Sequence, residues 1–343
     1  MKTAHALGIA AAAGACGLVL SRLSRTAHAL DFYGKSVVIF GGSRGLGLEI
    51  ARQLADEGAY VTLAARDAEE LERARIDLDD RGFSATTIPC DIRDRRDVEA
   101  AVQRVITEHG AIDVLINDAG VIQVGPVELM TVADFENAMA THFWGPLYAI
   151  LAALPHMRRA GERRIVNISS IGGKIAVPHL VPYSASKFAL TGLSEGLRAE
   201  LARDGFSVTT VCPGLMRTGS TYNAQFKGRH RREFAWFHVS DSMPMLSTSA
   251  HRAASQIIEA CRHGNPELII TPAARLAVAM NGISPSFTQR VLAIASWLMP
   301  SAGDADADDV RTGWQSVSRH VPSAITRLAD RATVENNELP ARD

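Results

Sequence analysis

The 343-residue chain lacks a charge excess: 36 Lys and Arg stand against 37 Asp and Glu, for a net charge of −1. No basic field marks it for nucleic acid. It has little cysteine. Cys16, Cys90, Cys212 and Cys261 lie far apart and make no C-x-x-C pair, which argues against a zinc site or a disulfide framework and suits a reducing compartment. It lacks a long hydrophobic run. The longest, Ala6 to Leu20, falls a little short of the roughly 20 residues that span a bilayer. It has no internal repeat. What it does have is 47% hydrophobic and 21% charged residues, enough apolar material for one large α/β domain with additions, or for two domains.

Residues 1–29 admit three readings. A secretory signal would use Lys2 as its basic region and Ala27/Ala29 as a cleavage site. A retained anchor would be a short hydrophobic helix, with Arg22 and Arg25 keeping the following domain on the cytoplasmic side. A disordered leader is the third. Two arginines between the apolar run and the cleavage site suit export poorly and favour the anchor.

From Ser36 the chain alternates strand and helix patterns. Ser36 to Phe40 reads as a buried strand. Gly41-Gly42-Ser43-Arg44-Gly45-Leu46-Gly47 and a helical pattern follow. A glycine-rich turn between strand and helix lets backbone approach a pyrophosphate at a helix N-terminus. A second strand, Tyr60 to Ala64, ends near Arg66. A carboxylate near this strand end would hold a ribose 2′-hydroxyl, whereas an arginine accommodates a 2′-phosphate. Arg66, with Arg44, therefore favours NADP(H), with NAD(H) still possible, and the neighbouring Asp67 weakens the inference. A third strand, Ala85 to Pro89, leads to Asp91-Ile92, where Asp91 is either an adenine contact or a helix cap. A fourth strand, Asp113 to Ile116, precedes Asn117-Asp118-Ala119-Gly120. A long helix, Asp134 to Leu154, carries His142. A fifth strand, from Arg164, ends at Ser169-Ser170. A sixth, Ser207 to Cys212, ends in Pro213-Gly214. This alternation implies a mainly parallel sheet with helices on both faces. Ligands in such sheets bind beyond the carboxyl ends of the strands.

Between the fifth and sixth strands stands Tyr183-Ser184-Ala185-Ser186-Lys187. On a helix, residues four apart meet on one face, so the Lys187 ammonium is expected to lower the Tyr183 pKa and tune the phenol for proton transfer.

Taken together, these motifs resemble the short-chain dehydrogenase/reductase family from about Leu30 to Thr271. Gly41, Gly45 and Gly47 match its T-G-x-x-x-G-x-G turn. Asn117 to Gly120 match N-N-A-G. Ser170 precedes Tyr183 by the family spacing, Tyr183 and Lys187 match Y-x-x-x-K, and Pro213-Gly214 with Thr218 match P-G-x-x-x-T. The resemblance implies a Rossmann-like, doubly wound α/β fold over 30–272; beyond it, the residue pattern of 273–343 suggests a C-terminal helical extension and flexible tail. It implies Tyr183 as acid/base, Ser170 as the group that polarises the reacting oxygen, and Lys187 as the residue that holds the nicotinamide ribose. It implies a cofactor lying along Gly41, Ser43, Arg44, Gly45, Leu46, Gly47, Arg66, Asp91, Ile92, Asn117, Ala119, Gly120, Pro213, Gly214 and Thr218. The chain departs from the family at Phe40 (usually Thr), at Asp118 (often Asn) and at His142 (often a relay Asn). His142 is expected to substitute in the proton relay, or else to pack on Trp144.

Tyr222, Phe226, Phe234, Trp236 and Phe237, with Met216, Met243 and Met245, suggest a lid over a bulky apolar carbonyl or alcohol substrate. Lys227, Arg229, Arg231 and Arg232 among them are a solvated loop or a contact for anionic headgroups. Apolar stretches at 273–280 and 291–299 suit a subunit interface, lid packing or an interfacial membrane contact, so membrane contact is expected through 6–20 and 273–300, and a homodimer or homotetramer is expected. The last thirty-odd residues lack an apolar period. A non-catalytic nucleotide-binding scaffold or an epimerase or dehydratase on the same fold are the competing readings.

Overall fold

A computed structural model describes residues 29–243, 246–303, 309–317 and 323–338. The hydrophobic segment 6–20, with the anchor and leader readings that rest on it, lies outside the described residues.

Seven parallel strands form the central sheet: β1 (Ser36–Phe40), β2 (Tyr60–Ala65), β3 (Ala85–Pro89), β4 (Val114–Asn117), β5 (Arg164–Ile168), β6 (Ser207–Pro213) and β7 (Glu267–Ile270), in the spatial order 3-2-1-4-5-6-7. β1 shows why the strands read as unbroken apolar runs. Val37 and Ile39 enter one core; Val38 and Phe40 enter the other, on the opposite face. A strand covered on both faces has no polar side to alternate with, and burying each such side chain contributes roughly 1.5–3 kcal/mol.

The helices α1 (Gly45–Asp56), α2 (Ala68–Asp80) and α8 (Ala250–Arg262) feed the first core. α3 (Arg95–His109), α5 (Gly145–Met157) and the C-terminal end of α6 (Val181–Leu201) feed the second. Asp67 caps α2 by accepting from the Glu69 and Glu70 amides, and Asp94 caps α3. The expected long helix over 134–154 is α4 (Val132–Met139) continued through a π-turn, Ala140–Trp144, into α5. A π-turn adds a residue to the helical repeat and re-aims what it carries; here it carries His142.

The strand order turns back at β1, which lies between β2 and β4: Phe40 pairs with Ala64 on one side and with Asn117 on the other. The glycine turn after Phe40 therefore sits at the topological switch point, where an open α/β sheet leaves a crevice.

Beyond β6 the chain builds a lid around α7 (His230–Ser242), with short strands at 215–217, 225–226 and 247–249. Two further helices follow β7, α9 (Pro272–Ile283) and α10 (Pro285–Leu298). Although 309–343 lacks an apolar period, α11 (Ser323–Glu335) packs on the lid, with Ala329 and Ala332 buried. Among the described residues, no helix is long and apolar enough to cross a membrane, and Cys90, Cys212 and Cys261 are free and buried.

Candidate active site

A cavity of about 530 Å³ opens beyond the carboxyl ends of the strands. Its floor is the glycine turn. Gly41 has φ +90° and lies against the next loop: a Cβ there would sit 2.5 Å from the Ala119 amide nitrogen. At Gly47 a Cβ would run into the Gly41 carbonyl oxygen. Only glycine allows backbone to pack so closely at these two positions.

Of the sequence-predicted cofactor residues, Gly41, Ser43, Arg44, Gly45, Leu46, Arg66, Asp91, Ile92, Ala119, Gly120, Pro213, Gly214 and Thr218 line this cavity, together with Ser170, Tyr183 and Lys187. Gly47 and Asn117 do not. Asn117 is buried beneath it, donating its Nδ2 to Asn167 Oδ1 across β4 and β5 at 2.8 Å. The Asp91 carboxylate is held by the Arg93 guanidinium, at 2.6 Å. Asp67 lines the cavity as well, with its Oδ1 capping α2.

Ser170 and Tyr183 come together although they sit on separate elements. Ser170 lies two residues beyond β5 and caps a short 3₁₀ turn, its Oγ accepting from the Gly172 amide at 3.0 Å. Tyr183 lies in the first turn of α6, hydrogen-bonded to the Ser170 side chain. Lys187, one turn on, donates Nζ to the Ile168 carbonyl at 2.8 Å and stands 5.7 Å from the centroid of the Tyr183 ring.

The expected lowering of the Tyr183 pKa is not found. Burial pushes the phenol up to about 12, with the Ser170 hydrogen bond opposing. Lys187 faces the ring and a backbone carbonyl instead of closing on the hydroxyl, and burial brings its own pKa down to about 8. The low dielectric disfavours both charged forms. Asp118, where the resemblance predicted Asn, lines the cavity beside them and is partly buried. It accepts from the Gly47 amide, and burial lifts its carboxyl to about 7 against the pull of Lys187.

His142 does not line the cavity and is 0% exposed. Its Nε2 accepts from the Val121 amide at 3.1 Å, so Nδ1 carries the proton and meets Ser186 Oγ at 2.7 Å. The ring lies edge-on to Tyr183, centroids 5.3 Å apart. Burial, and then the Lys187 charge, hold its pKa well below the usual imidazole value. Its ring partner is Tyr183, not Trp144.

The lid differs from its sequence reading in two ways. Phe226 and Phe234 are buried with Val124 and Leu180 in a small core of their own, while Trp236 points outward, 46% exposed. Lys227 is no headgroup contact: it is 2% exposed and paired with Asp134 at 2.6 Å. Sequence reasoning also missed Glu70 and Glu338, both of which line the cavity. No motif marks either; their place depends on how α2 and α11 pack.

A family model described as short chain dehydrogenase matches residues 35–227. A dehydrogenase/reductase SDR family protein 7-like of Anopheles gambiae is 35% identical over 280 residues, covering 79% of this chain and 86% of that protein. A fatty acyl-CoA reductase of Acinetobacter baylyi is 31% identical, over 78% of this chain and 86% of its own length. Among solved structures, a dehydrogenase/reductase from Sinorhizobium meliloti is 30% identical, with a TM-score of 0.62, and covers 74% of this chain and 99% of its own.

Proposed function

This chain belongs to the short-chain dehydrogenase/reductase family and is an NAD(P)-dependent oxidoreductase; from that premise we propose that it uses NADP(H) to reduce a bulky apolar carbonyl, with Tyr183 as the proton donor. The observation that carries the reading is the convergence of Ser170, Tyr183 and Lys187 on one cavity with the glycine turn. The cavity fits a dinucleotide: a glycine turn that leaves backbone exposed to it, the N-terminus of α1 and two arginines on its wall. When bound, the nicotinamide supplies the hydride.

The residues do the rest. Ser170 donates a hydrogen bond to the substrate oxygen and stabilises its developing charge. Tyr183, a neutral phenol across the physiological range, delivers the proton. Lys187 is the nearest ammonium to the phenolate left behind, which its charge stabilises. His142 acts as a positioning residue: through Ser186, whose Oγ also donates to the Tyr183 carbonyl at 2.8 Å, it fixes the turn that presents the phenol.

Arg44 and Arg66 on the cavity wall support NADP(H), while Asp67, which lines the same cavity, gives Oδ1 to its helix cap. Val121, Ile122 and Met216 on the cavity wall support an apolar substrate, as does the likeness to a fatty acyl-CoA reductase. The test is oxidation of NADPH and NADH with a series of carbonyls from acetaldehyde to long-chain acyl compounds. Long apolar carbonyls with NADPH should react fastest, and Tyr183→Phe should lower kcat by about 10²–10⁴-fold with nucleotide affinity retained. Equal rates for small polar carbonyls would overturn the substrate class.

α9 and α10 expose Leu276, Ile283, Phe287, Ile294 and Trp297, the last 83% exposed, and carry only Arg275 and Arg290 as charges. Such a face suits the bilayer interface. Trp144 in the π-turn, Leu151 on α5 and Phe188 on α6 are exposed and support a dimer. Flotation with anionic vesicles, weakened by Trp297→Ser, and sedimentation velocity test the two; no binding and a monomer would remove them.

A further inference from the structure

The last described residues cross the mouth of the cofactor cleft. α11 is fastened to the lid by Asp330, which accepts from Tyr222 Oη at 2.6 Å and bonds His238 Nε2 at 3.1 Å. At its end Arg52 donates to the Glu335 carbonyl at 2.8 Å. The next three residues then bind the glycine turn. The Asn336 carbonyl accepts from the Gly45 amide at 2.8 Å, and its Nδ2 donates to the Thr218 carbonyl at 3.2 Å. Asn337, in a left-handed conformation with φ 57°, donates to the Ser43 and Glu70 carbonyls at 2.8 and 3.0 Å and accepts from Arg73 at 2.8 Å. Glu338, 3% exposed, takes Arg44 Nη1 at 3.0 Å and Asn223 Nδ2 at 2.5 Å.

These are groups a nucleotide phosphate would seek. The Gly45 amide is one of the unpaired donors at the N-terminus of α1, which attract anions. Arg44 is a planar donor suited to phosphate. A carbonyl and a carboxylate from the chain's own tail now satisfy both. Glu70 also stands 3.6 Å from Arg44 and accepts from Ser43 Oγ at 2.9 Å, so two carboxylates already neutralise this guanidinium. A phosphate dianion brought beside Glu338 would meet a buried like charge.

We propose that Glu338, carried on the strap 336–338, competes with the phosphates of NADP(H) for Arg44 and the Gly45 amide, so that cofactor binding requires the strap to leave. The strap thereby sets both the affinity and the balance between the two nicotinamide cofactors. Its carboxylate opposes the 2′-phosphate directly, whereas the Asn336 carbonyl opposes any dinucleotide. This rests on the reading of the cleft as the nucleotide site.

The test compares the full chain, Glu338→Gln and a chain ending at Glu335, by titration with NADPH and NADH and by hydrogen exchange of the C-terminal peptides. Glu338→Gln keeps the strap and Glu70 in place, so it reads the charge without risking the packing of α11. It should bind NADPH about tenfold more tightly, the yield of one freed charged hydrogen bond, and alter NADH binding far less. The shortened chain should bind both more tightly. NADPH should speed exchange over 333–338 in the full chain. Unchanged or weaker NADPH binding in both variants, or protection of 333–338 by NADPH, would overturn the strap as a competitor while leaving the nucleotide site standing. Failure of all three proteins to bind either nucleotide would instead remove the nucleotide site, and the strap proposal with it.

Discussion

The wall of the cleft built from β1 to β4 and the wall built from residues 218–338 are filled differently. The first is mainly aliphatic, with backbone at close range around Gly41 and Gly47 and a few side-chain pairings such as Asn117 with Asn167 and Arg52 with Glu49. The second is held by polar side chains drawn in from water: the buried pair Lys227 with Asp134, Arg44 with Glu338, and a hydrogen bond between His179 and a Glu233 that is wholly buried. Apolar packing keeps a wall in place over a wide range of conditions. A buried ion pair gives little net stability but penalises any arrangement that parts the two charges. The difference teaches that the nucleotide floor is a fixed surface, whereas the lid and strap are specified by a few pairings, each of which a single change can release.

Three changes sharpen this contrast. The largest effect is expected from Lys227→Ala, which strands Asp134 under the lid and should destabilise the protein by about 3 kcal/mol, at the lower end of the range for a broken buried pair, because Gln123 and the Thr131 amide still serve that carboxylate. Urea unfolding measures it; a loss within 0.5 kcal/mol would show that the lid does not depend on the pair. Next comes Gly47→Ala, where the added methyl meets the Gly41 carbonyl. A loss of about 1–3 kcal/mol is expected, as for other overpacked positions, together with weakened nucleotide binding in a titration. Unaltered affinity would mean that the floor yields.

The smallest is Asp118→Asn, which keeps an acceptor for the Gly47 amide. In the fold this carboxyl holds its proton up to about 7, against an ordinary value of 3.8. The folded state therefore binds the proton more tightly than the unfolded chain. That contribution to stability is present below about pH 4 and is lost as the pH rises through 7. The Tm of the Asn variant should gain on the wild type across that window. Asp118 also raises the pKa of Lys187, so the alkaline limb of kcat/KM should move to lower pH in the variant. Parallel Tm curves and a fixed alkaline limb would count against the buried-acid account.

The floor was legible because its parts are close in sequence. Gly41 to Gly47 follow β1 directly, and strand, turn and helix announce themselves by periodicity. Ser170, Tyr183 and Lys187 were legible because each sits at a strand end or in the first turns of a helix, which topology alone brings to one edge. The pKa of Tyr183 was not. Helical spacing brought Lys187 near, but burial outweighed its charge, and burial depends on residues from the whole chain. Aromatic side chains at 226 and 234 looked like a substrate surface by type, and only packing shows them turned into a core. Asn336-Asn337-Glu338 carry no motif, and 294 residues separate Glu338 from Arg44.

By itself, the order of residues determined the alternation of strand and helix, the crevice at the switch point and the identity of the groups that meet there, because periodicity and steric demands of glycine act over a few residues. Only the tertiary structure decided which of those groups are charged, which face solvent and what covers the glycine turn. Those properties depend on the dielectric around each group and on partners far along the chain, and neither is written in any local stretch.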